Sequence, residues 1–379
     1  MKDYIVSYYM LNEIRNKCLL DNQIGPRVLV CGSPLCGKIT FCHMLLNYGL
    51  KLGWTPIYCD IDLDNEINIP GTISATVVDN LIPNDYLIDN SISFYNGCKY
   101  DNINYFLYEK QLIELAKIIK EKLNYDLNLF KEKKKIDEET KKKYFVSSEK
   151  PTLFASGLII HCPNFNFENN ENVKKAYLNI LKEFDVNLVY VIENEKLKND
   201  IINYCAELNK EVTVNLLSKL NFDFELNQNY LELKEEEEKY SLYFKGPNKN
   251  LQINKITINL NKYKLFSIES LNNTSNILPI GASSNLNLIL KEIKINSNLI
   301  NKIINIVSLE EKEISDLDNN FEKKMNSYID LFCTSPVEYF AVIISINKNN
   351  NEITICGPNY NLPHKYLIIG ELKFSKLFN

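Results

Sequence analysis

The residues with the clearest chemistry lie in one heptapeptide, Gly32-Ser33-Pro34-Leu35-Cys36-Gly37-Lys38, directly after the apolar run Val28-Leu29-Val30-Cys31. Two glycines spaced in this way, with a lysine after the second, match the phosphate-binding pattern G-x-x-x-x-G-K-[ST]. In that pattern backbone N–H groups cradle phosphates, the lysine reaches the β/γ-phosphates and the last hydroxyl holds Mg²⁺. Ile39 stands where the hydroxyl belongs and offers a cation no oxygen. Thr40 replaces it poorly, because one helical step turns a side chain by ~100°. The expected cradle is Gly32, Leu35, Cys36, Gly37, Lys38, Ile39 and Thr40, with Mg²⁺ poorly held.

Such a loop works only between a strand and a helix. Val28–Cys31 reads as a buried strand. Beyond the loop, Phe41, Met44, Leu45, Tyr48 and Leu52 recur at helical spacing and predict one buried face, closed by Gly53. Ile57–Ile61 is the next strand and carries acids at its end. Leu11–Cys18 predicts a short leader helix and Gln111–Leu123 an amphipathic one. Further buried strands are expected at Leu158–Ile160, Val186–Ile192 and Glu211–Leu217, with a helix between Val173 and Phe184. Strands alternating with helices predict a P-loop α/β domain, a parallel sheet with helices on both faces, over residues 25–244. The charge run Lys131–Lys143 is read as a solvated insertion or loop, with a nuclear-localisation patch as the alternative.

After Glu235–Glu238 and Gly246-Pro247 the patterning shortens toward period two: KITINL, KLFSI, LILKEIKI and AVIISINKNNNEITICG. The last is two alternating runs around an Asn-rich turn, a hairpin signal. A smaller, mostly β domain is expected over 245–379, with 1–24 as a leader.

Bulk composition sets limits. With 43 basic and 48 acidic residues the net charge is -5, which excludes a globally basic nucleic-acid binder but not a local basic groove. Arg15 and Arg27 are the only arginines, so the guanidinium forks that usually clamp a transferring phosphoryl group are nearly absent. Ten scattered cysteines without a C-x-x-C pair read as buried reduced thiols in a cytosolic or nuclear protein. The N-terminus lacks a signal-peptide core and no apolar run approaches ~18 residues, so no membrane span is expected.

The order and spacing of Gly25-Pro26-Arg27-Val28-Leu29-Val30, the loop, Leu45-Leu46-Asn47-Tyr48, Tyr58 to Asp62 and Ile69-Pro70-Gly71-Thr72 resemble the eukaryotic polyribonucleotide 5′-hydroxyl-kinase family, whose members serve as pre-mRNA cleavage complex II subunits. Leu278-Pro279-Ile280-Gly281 and Ala341-Val342-Ile343 resemble that family's small C-terminal domain. The resemblance is strong over 25–75 and fainter beyond. It implies ATP as nucleotide, protein subunits of the mRNA 3′-end cleavage complex as partners, RNA as a further partner and a nuclear location. It also implies a β-sandwich domain ahead of the kinase domain that helps hold the base. This chain starts just upstream of the kinase domain, so that domain was lost, the start is mis-assigned, or the chain is a fragment.

By the same resemblance Asp62 is the strand-end acid that orients Mg²⁺ or accepts the hydroxyl proton, against the alternative of a surface acid. Its neighbours Asp64 and Asn65 replace the family's Gly and Gln. Phe165, in Pro163-Asn164-Phe165, takes the position of the aromatic that clamps the terminal base, against a packed core ring. His161 at the strand end reads as a satisfied residue rather than a base. The stretch matching the arginine-bearing lid, Leu231 to Lys239, holds no Arg and five Glu, leaving Lys234 and Lys239 as point charges. The expectation is a nucleotide-binding, catalytically impaired RNA 5′-kinase-like scaffold in pre-mRNA 3′-end processing. The alternatives are an active kinase holding its metal with Asp60 and Asp62, and an unrelated P-loop NTPase.

Overall fold

The computed structural model describes residues 2–64, 69–81, 91–99, 103–140, 153–165, 171–219, 238–246, 250–270, 288–359 and 361–374. Asn65, Lys234, the rest of the lid stretch up to residue 237, Leu278–Gly281 and residues 141–143 lie outside the described residues. The chain forms two compact units.

The first unit comprises Met1–Asp62, Ser74–Ser91 and Leu112–Glu225. Its sheet is built on β1 (Arg27–Gly32), β2 (Ile57–Asp60), β3 (Thr72–Val77), β5 (Leu158–His161), β6 (Leu188–Ile192) and β7 (Thr213–Leu217), in the order β3-β2-β5-β1-β6-β7. From β2 to β7 every neighbouring pair is parallel, whereas β3 runs antiparallel to β2. The inner strands β2, β5, β1 and β6 are short and almost wholly buried, as strands covered on both faces must be; β7, expected as a buried strand, is the edge of the sheet and is buried only at Leu217.

Helix α2 (Lys38–Lys51) follows β1 and ends as its sequence predicts. Gly53 is left-handed at φ +88. Its N–H donates to the Leu50 carbonyl at 2.9 Å and the Trp54 N–H to that of Gly49 at 3.1 Å, a Schellman cap. The buried face differs from expectation. It is Phe41, Cys42, Leu45, Leu46 and Gly49, with Tyr48 and Leu52 exposed. The stripe is rotated because α1 packs beside Gly49, where the Arg15 guanidinium lies 3.1 Å from the position a Cβ would take.

Helix α1 runs Lys2–Leu20, longer than the predicted leader. Tyr4 meets Phe41 edge-on at 4.8 Å, and Phe41 meets Tyr190 of β6 at 5.2 Å. Asn12 accepts from the Trp54 indole at 2.9 Å. Arg15, fully buried, donates through Nε to the Ser156 carbonyl at 2.9 Å. These contacts clamp α2, and with it the loop at its start, onto the sheet.

Helix α3 (Tyr105–Thr140) corrects the expected charged loop, for it carries the Lys131 run as helix through Thr140. Lys and Glu are good helix formers, and a run without Gly or Pro gives no reason to stop. The short α4 (Leu153–Ser156) precedes β5; α5 (Glu171–Glu183) and α6 (Glu195–Glu207) flank β6 in sequence.

The second unit takes Leu63–Ile73, Ile92–Gln111 and Leu226–Asn379. It includes β4 (Ile92–Tyr95), a helix over 238–245 (α7), β8 (Asn254–Asn259), β9 (Lys264–Ser270), β10 (Leu288–Glu292), β11 (Lys302–Val307), α8 (Glu311–Lys324), α9 (Ile329–Thr334), β12 (Val337–Asn347), β13 (Glu352–Gly357) and β14 (Tyr366–Lys373). Seven strands form one sheet in the order β10-β9-β14-β11-β12-β13-β8, antiparallel except for β14 beside β9. The period-two pattern is real: along β12, Tyr339, Ala341 and Ile343 enter one apolar cluster and Phe340 and Val342 another. The hairpin predicted around the Asn-rich turn is β12–β13.

Candidate functional site

Register places the candidate residues. Val30 of β1, His161 of β5 and Asp60 of β2 stand side by side on three adjacent parallel strands. The segments just past them, Gly32–Lys38, Cys162–Phe165 and Ile61–Asp62, therefore share one edge of the sheet. That edge, at the carboxyl ends of parallel strands, is where open α/β sheets bind ligands.

The loop is built for close backbone approach. A Cβ at Gly32 would lie 2.6 Å from the Ile192 carbonyl oxygen and 2.8 Å from the Cys36 sulfur, so only glycine lets β1 turn out beside β6. Gly37 sits at φ +91, ψ +27, and an added Cβ there would meet nothing within 4 Å. Leu35 is also left-handed, at φ +56, with its side chain exposed. The buried Cys36 side chain backs the turn, and burial raises its thiol pKa. Gly37 is the N-cap of α2 and no side chain caps that end. The first N–H groups of the helix and its dipole are thus arranged as in an anion cradle.

Lys38 is buried, and its ammonium donates to the Ser33 carbonyl at 3.4 Å and to the Asn164 side-chain oxygen. Asn194 steadies the other side of the loop. It donates from Nδ2 to Ser33 Oγ at 3.3 Å while its oxygen caps α6 by accepting from the Leu197 N–H at 2.9 Å. Neither Asn164 nor Asn194 stands out in the sequence as a site residue. Asn194 does carry an N-cap signal, an Asn directly before a helical run; nothing local marks Asn164.

The acids Asp60 and Asp62 stand at the end of β2, beside His161. Asp60 Oδ1 lies 3.0 Å from His161 Nδ1 and accepts from the Asp62 N–H at 3.1 Å, and the Tyr58 hydroxyl donates to Asp60 Oδ2 at 3.4 Å. All four residues are buried. Burial by itself would push the His161 imidazole down. The Asp60 charge and hydrogen bond, helped by Asp62, outweigh burial and the opposing Lys38, and its pKa lies above the ordinary value. His161 is thus a satisfied strand-end residue. Ile39 is half-buried and Thr40 exposed.

Phe165 is 2 % exposed, with its ring edge-on to Tyr177 at 4.8 Å and no face presented to a base. Both arginines are committed elsewhere. Arg27 sits at the opposite end of β1, paired with Asp185 at 3.2 Å, and Arg15 is enclosed under α1. Lys239 lies in α7.

The phosphates of a nucleotide fit this loop, since Gly37 leaves open room at an uncapped helix start beside a lysine. Mg²⁺ fits less well. The hydroxyl position is aliphatic, and among the described residues no group of three or more His, Cys, Asp or Glu side chains could hold a metal. Asp60 and Asp62 are the carboxylates at hand, and a Mg²⁺ site built on one or two carboxylates relies on substrate phosphates for the rest.

Residues 32–132 match the family model described as mRNA cleavage and polyadenylation factor CLP1 P-loop, and residues 253–376 match that of pre-mRNA cleavage complex II protein Clp1. The chain belongs to the Clp1 family. It is 24% identical to the protein CLP1 homolog of Aedes aegypti over 99% of this chain and 78% of the relative. With the polyribonucleotide 5′-hydroxyl-kinase Clp1 of Homo sapiens it shares 21% over the same proportions. Among solved structures, a Clp1p chain in the wild-type Clp1p–Pcf11p complex superposes with a TM-score of 0.72 at 20% identity, covering 99% of this chain and 79% of that one. The fold is that of Clp1: a P-loop α/β unit and a mostly β unit.

Proposed function

We propose that this Clp1-family chain binds ATP and serves as an RNA 5′-kinase-like subunit of the nuclear pre-mRNA 3′-end cleavage machinery, with phosphoryl transfer impaired. Residues 25–244 would handle the nucleotide, and 245–379 would form a separate β-rich domain. The observation that carries this reading is an intact cradle ending in an aliphatic residue. Gly32, Gly37 and Lys38 hold binding geometry, while Ile39 removes the metal's hydroxyl ligand. When bound, Mg²⁺ neutralises developing charge between the phosphates; Asp60 and Asp62 are the residues that would face it.

Lys38 would bind the outer phosphates and the backbone from Leu35 to Thr40 the inner ones. The structural neighbours include Clp1p solved with Pcf11p, and a protein of that kind is the partner we assign here. An arginine contributed to a transferring phosphoryl is worth about 10³–10⁵ in rate, and neither Arg15 nor Arg27 is available for it. The test is phosphorylation of a 5′-hydroxyl RNA by the purified protein with ATP and Mg²⁺, alongside ATP binding. Retained binding with negligible transfer is expected. Robust Mg²⁺-dependent transfer, lost in Lys38→Ala, would instead establish an active kinase. The pairing of Asp60 and Asp62 at one strand end favours that second reading.

A further inference from the structure

The polar group nearest to the loop lysine is one that the phosphate-loop pattern does not include. Asn164 lies three residues past His161, beyond the end of β5, the parallel neighbour of both β1 and β2. Its carboxamide meets the Lys38 ammonium. An ammonium has three donors and no acceptor, so the amide oxygen must face it and the NH₂ must point the other way. That NH₂ has no partner among the described residues, and the residue is only half-buried. The ammonium gives one hydrogen to Ser33 and one to Asn164, which leaves one to direct into the cradle.

We propose that Asn164 reads the outermost phosphate of the bound nucleotide: its oxygen fixes Lys38 and its NH₂ donates to a terminal phosphoryl oxygen, so that a triphosphate is preferred over a diphosphate. The proposal rests on the nucleotide-binding reading above and adds a selective residue to it. Lys38 and Asn164 together form one unit with donors on both arms, an ammonium hydrogen and an amide hydrogen, held in register by the amide oxygen between them. In a chain whose two arginines are both engaged elsewhere, this pair of one charged and one neutral donor would serve where donors toward a terminal phosphate are needed. A carboxamide adds hydrogen bonds without adding charge, so it favours recognition of the phosphate more than stabilisation of charge as it is transferred. That fits a protein that holds ATP without spending it.

Two substitutions separate the two arms. Asn164→Ala removes both. Asn164→Asp keeps an oxygen for Lys38, and keeps the loop ordered, but replaces the donor with a negative charge aimed at phosphate. Affinities of the full chain for ATP and for ADP, measured by calorimetry on wild type and both variants, form the test. Expected are a wild-type preference for ATP, a loss of about tenfold for ATP in Asn164→Ala with ADP changed less than about twofold, and a still larger ATP loss in Asn164→Asp. An unchanged ATP/ADP ratio in both variants overturns the proposal while leaving nucleotide binding in place. So does an Asn164→Asp protein that keeps the wild-type ratio, because the residue would then only hold Lys38. Tighter binding of both nucleotides to Asn164→Ala overturns it too, since the amide would be a plug. A wild type that binds neither nucleotide removes the underlying reading and this proposal with it.

Discussion

Gly32 and Gly37 are both loop glycines, yet the structure assigns them different consequences. Gly37→Ala places a methyl where no protein atom lies within 4 Å, so its cost to folding is the left-handed backbone alone, at φ +91. For an L-residue that cost is about 1–2 kcal/mol, or roughly 2–8 °C in Tm for a unit of this size. Gly32→Ala drives its methyl to 2.6 Å from a backbone oxygen of β6. Backbone cannot step aside as a side chain does, and the overpacking should cost about 1–3 kcal/mol or more. The open space beside Gly37 is the space we assign to phosphate.

Thermal unfolding with and without ATP reads both effects. At about 100 times its Kd, ATP stabilises a binding protein by about 2.7 kcal/mol. A tenfold loss of affinity in Gly37→Ala, at the same ATP concentration, would leave about 1.4 kcal/mol of that. The expected pattern is a modestly destabilised Gly37→Ala that has lost about half or more of its response to ATP. Gly32→Ala should be the less stable of the two without ligand. A Gly37→Ala protein with the full wild-type response would refute the assignment of that space to phosphate.

Three other outcomes follow. Ile39→Thr returns an oxygen to the metal position, and ATP affinity measured with Mg²⁺ and with EDTA should diverge more than in the wild type; identical ratios would argue that position 39 does not limit the metal. Arg15→Met should be near neutral or stabilising in chemical denaturation. Burial pushes the guanidinium down to about 10 and both Nη atoms lack partners among the described residues, which offsets loss of the bond to Ser156; a loss above about 3 kcal/mol would contradict this. His364 bonds through Nε2 to the Val307 carbonyl at 2.7 Å, while its Nδ1 accepts from the Tyr366 N–H at 3.2 Å, an arrangement that only a neutral ring can make. Burial holds its pKa below the ordinary 6.5. The unfolded chain therefore binds the proton more readily, and this contribution to stability is complete above pH ~6.5 and lost as pH falls through the folded value. His364→Gln should flatten the dependence of Tm on pH below 6.5, and an unchanged slope would contradict the assignment.

What was legible in the sequence was what local patterning dictates. The loop, the strand before it, the Gly53 cap and the hairpin at the Asn-rich turn all follow from spacing and turn chemistry. Helix α1 was only half visible because apolar residues surround it: Ile5, Val6, Tyr9 and Met10 are exposed while Tyr4, Tyr8 and Leu11 are buried, which blurs the helical period. Strand β3 is legible in principle, since Thr72-Ile73-Ser74-Ala75-Thr76-Val77 alternates polar and apolar residues, but only over six residues and without the one-sided exposure that such alternation implies, for five of the six are buried. The charged part of α3 reads as a loop from its solvation alone, but Lys and Glu are good helix formers and carry the helix on through Thr140.

At the site, the cradle was readable, but its supports were not. Asn164 and Asn194 act on residues 126 and 161 positions away, a separation no local pattern encodes. His161 gave no sign of its partner, since only the register of β5 beside β2 brings it to Asp60. The recruitment of 63–73 and 92–111 into the second unit is likewise a tertiary choice made by apolar residues such as Ile69 and Tyr95, which join a cluster with Phe340 and Leu372.

The central claim is that this Clp1-family pocket retains its hold on ATP and has lost the means of transferring the terminal phosphoryl group. A single sample decides it: protein saturated with γ-labelled ATP and Mg²⁺, mixed with excess 5′-hydroxyl RNA, with bound nucleotide and labelled RNA followed together. The account predicts full ATP occupancy and no accumulation of labelled RNA over many minutes. Stoichiometric label on the RNA within seconds, or protein that never takes up the ATP, would contradict it.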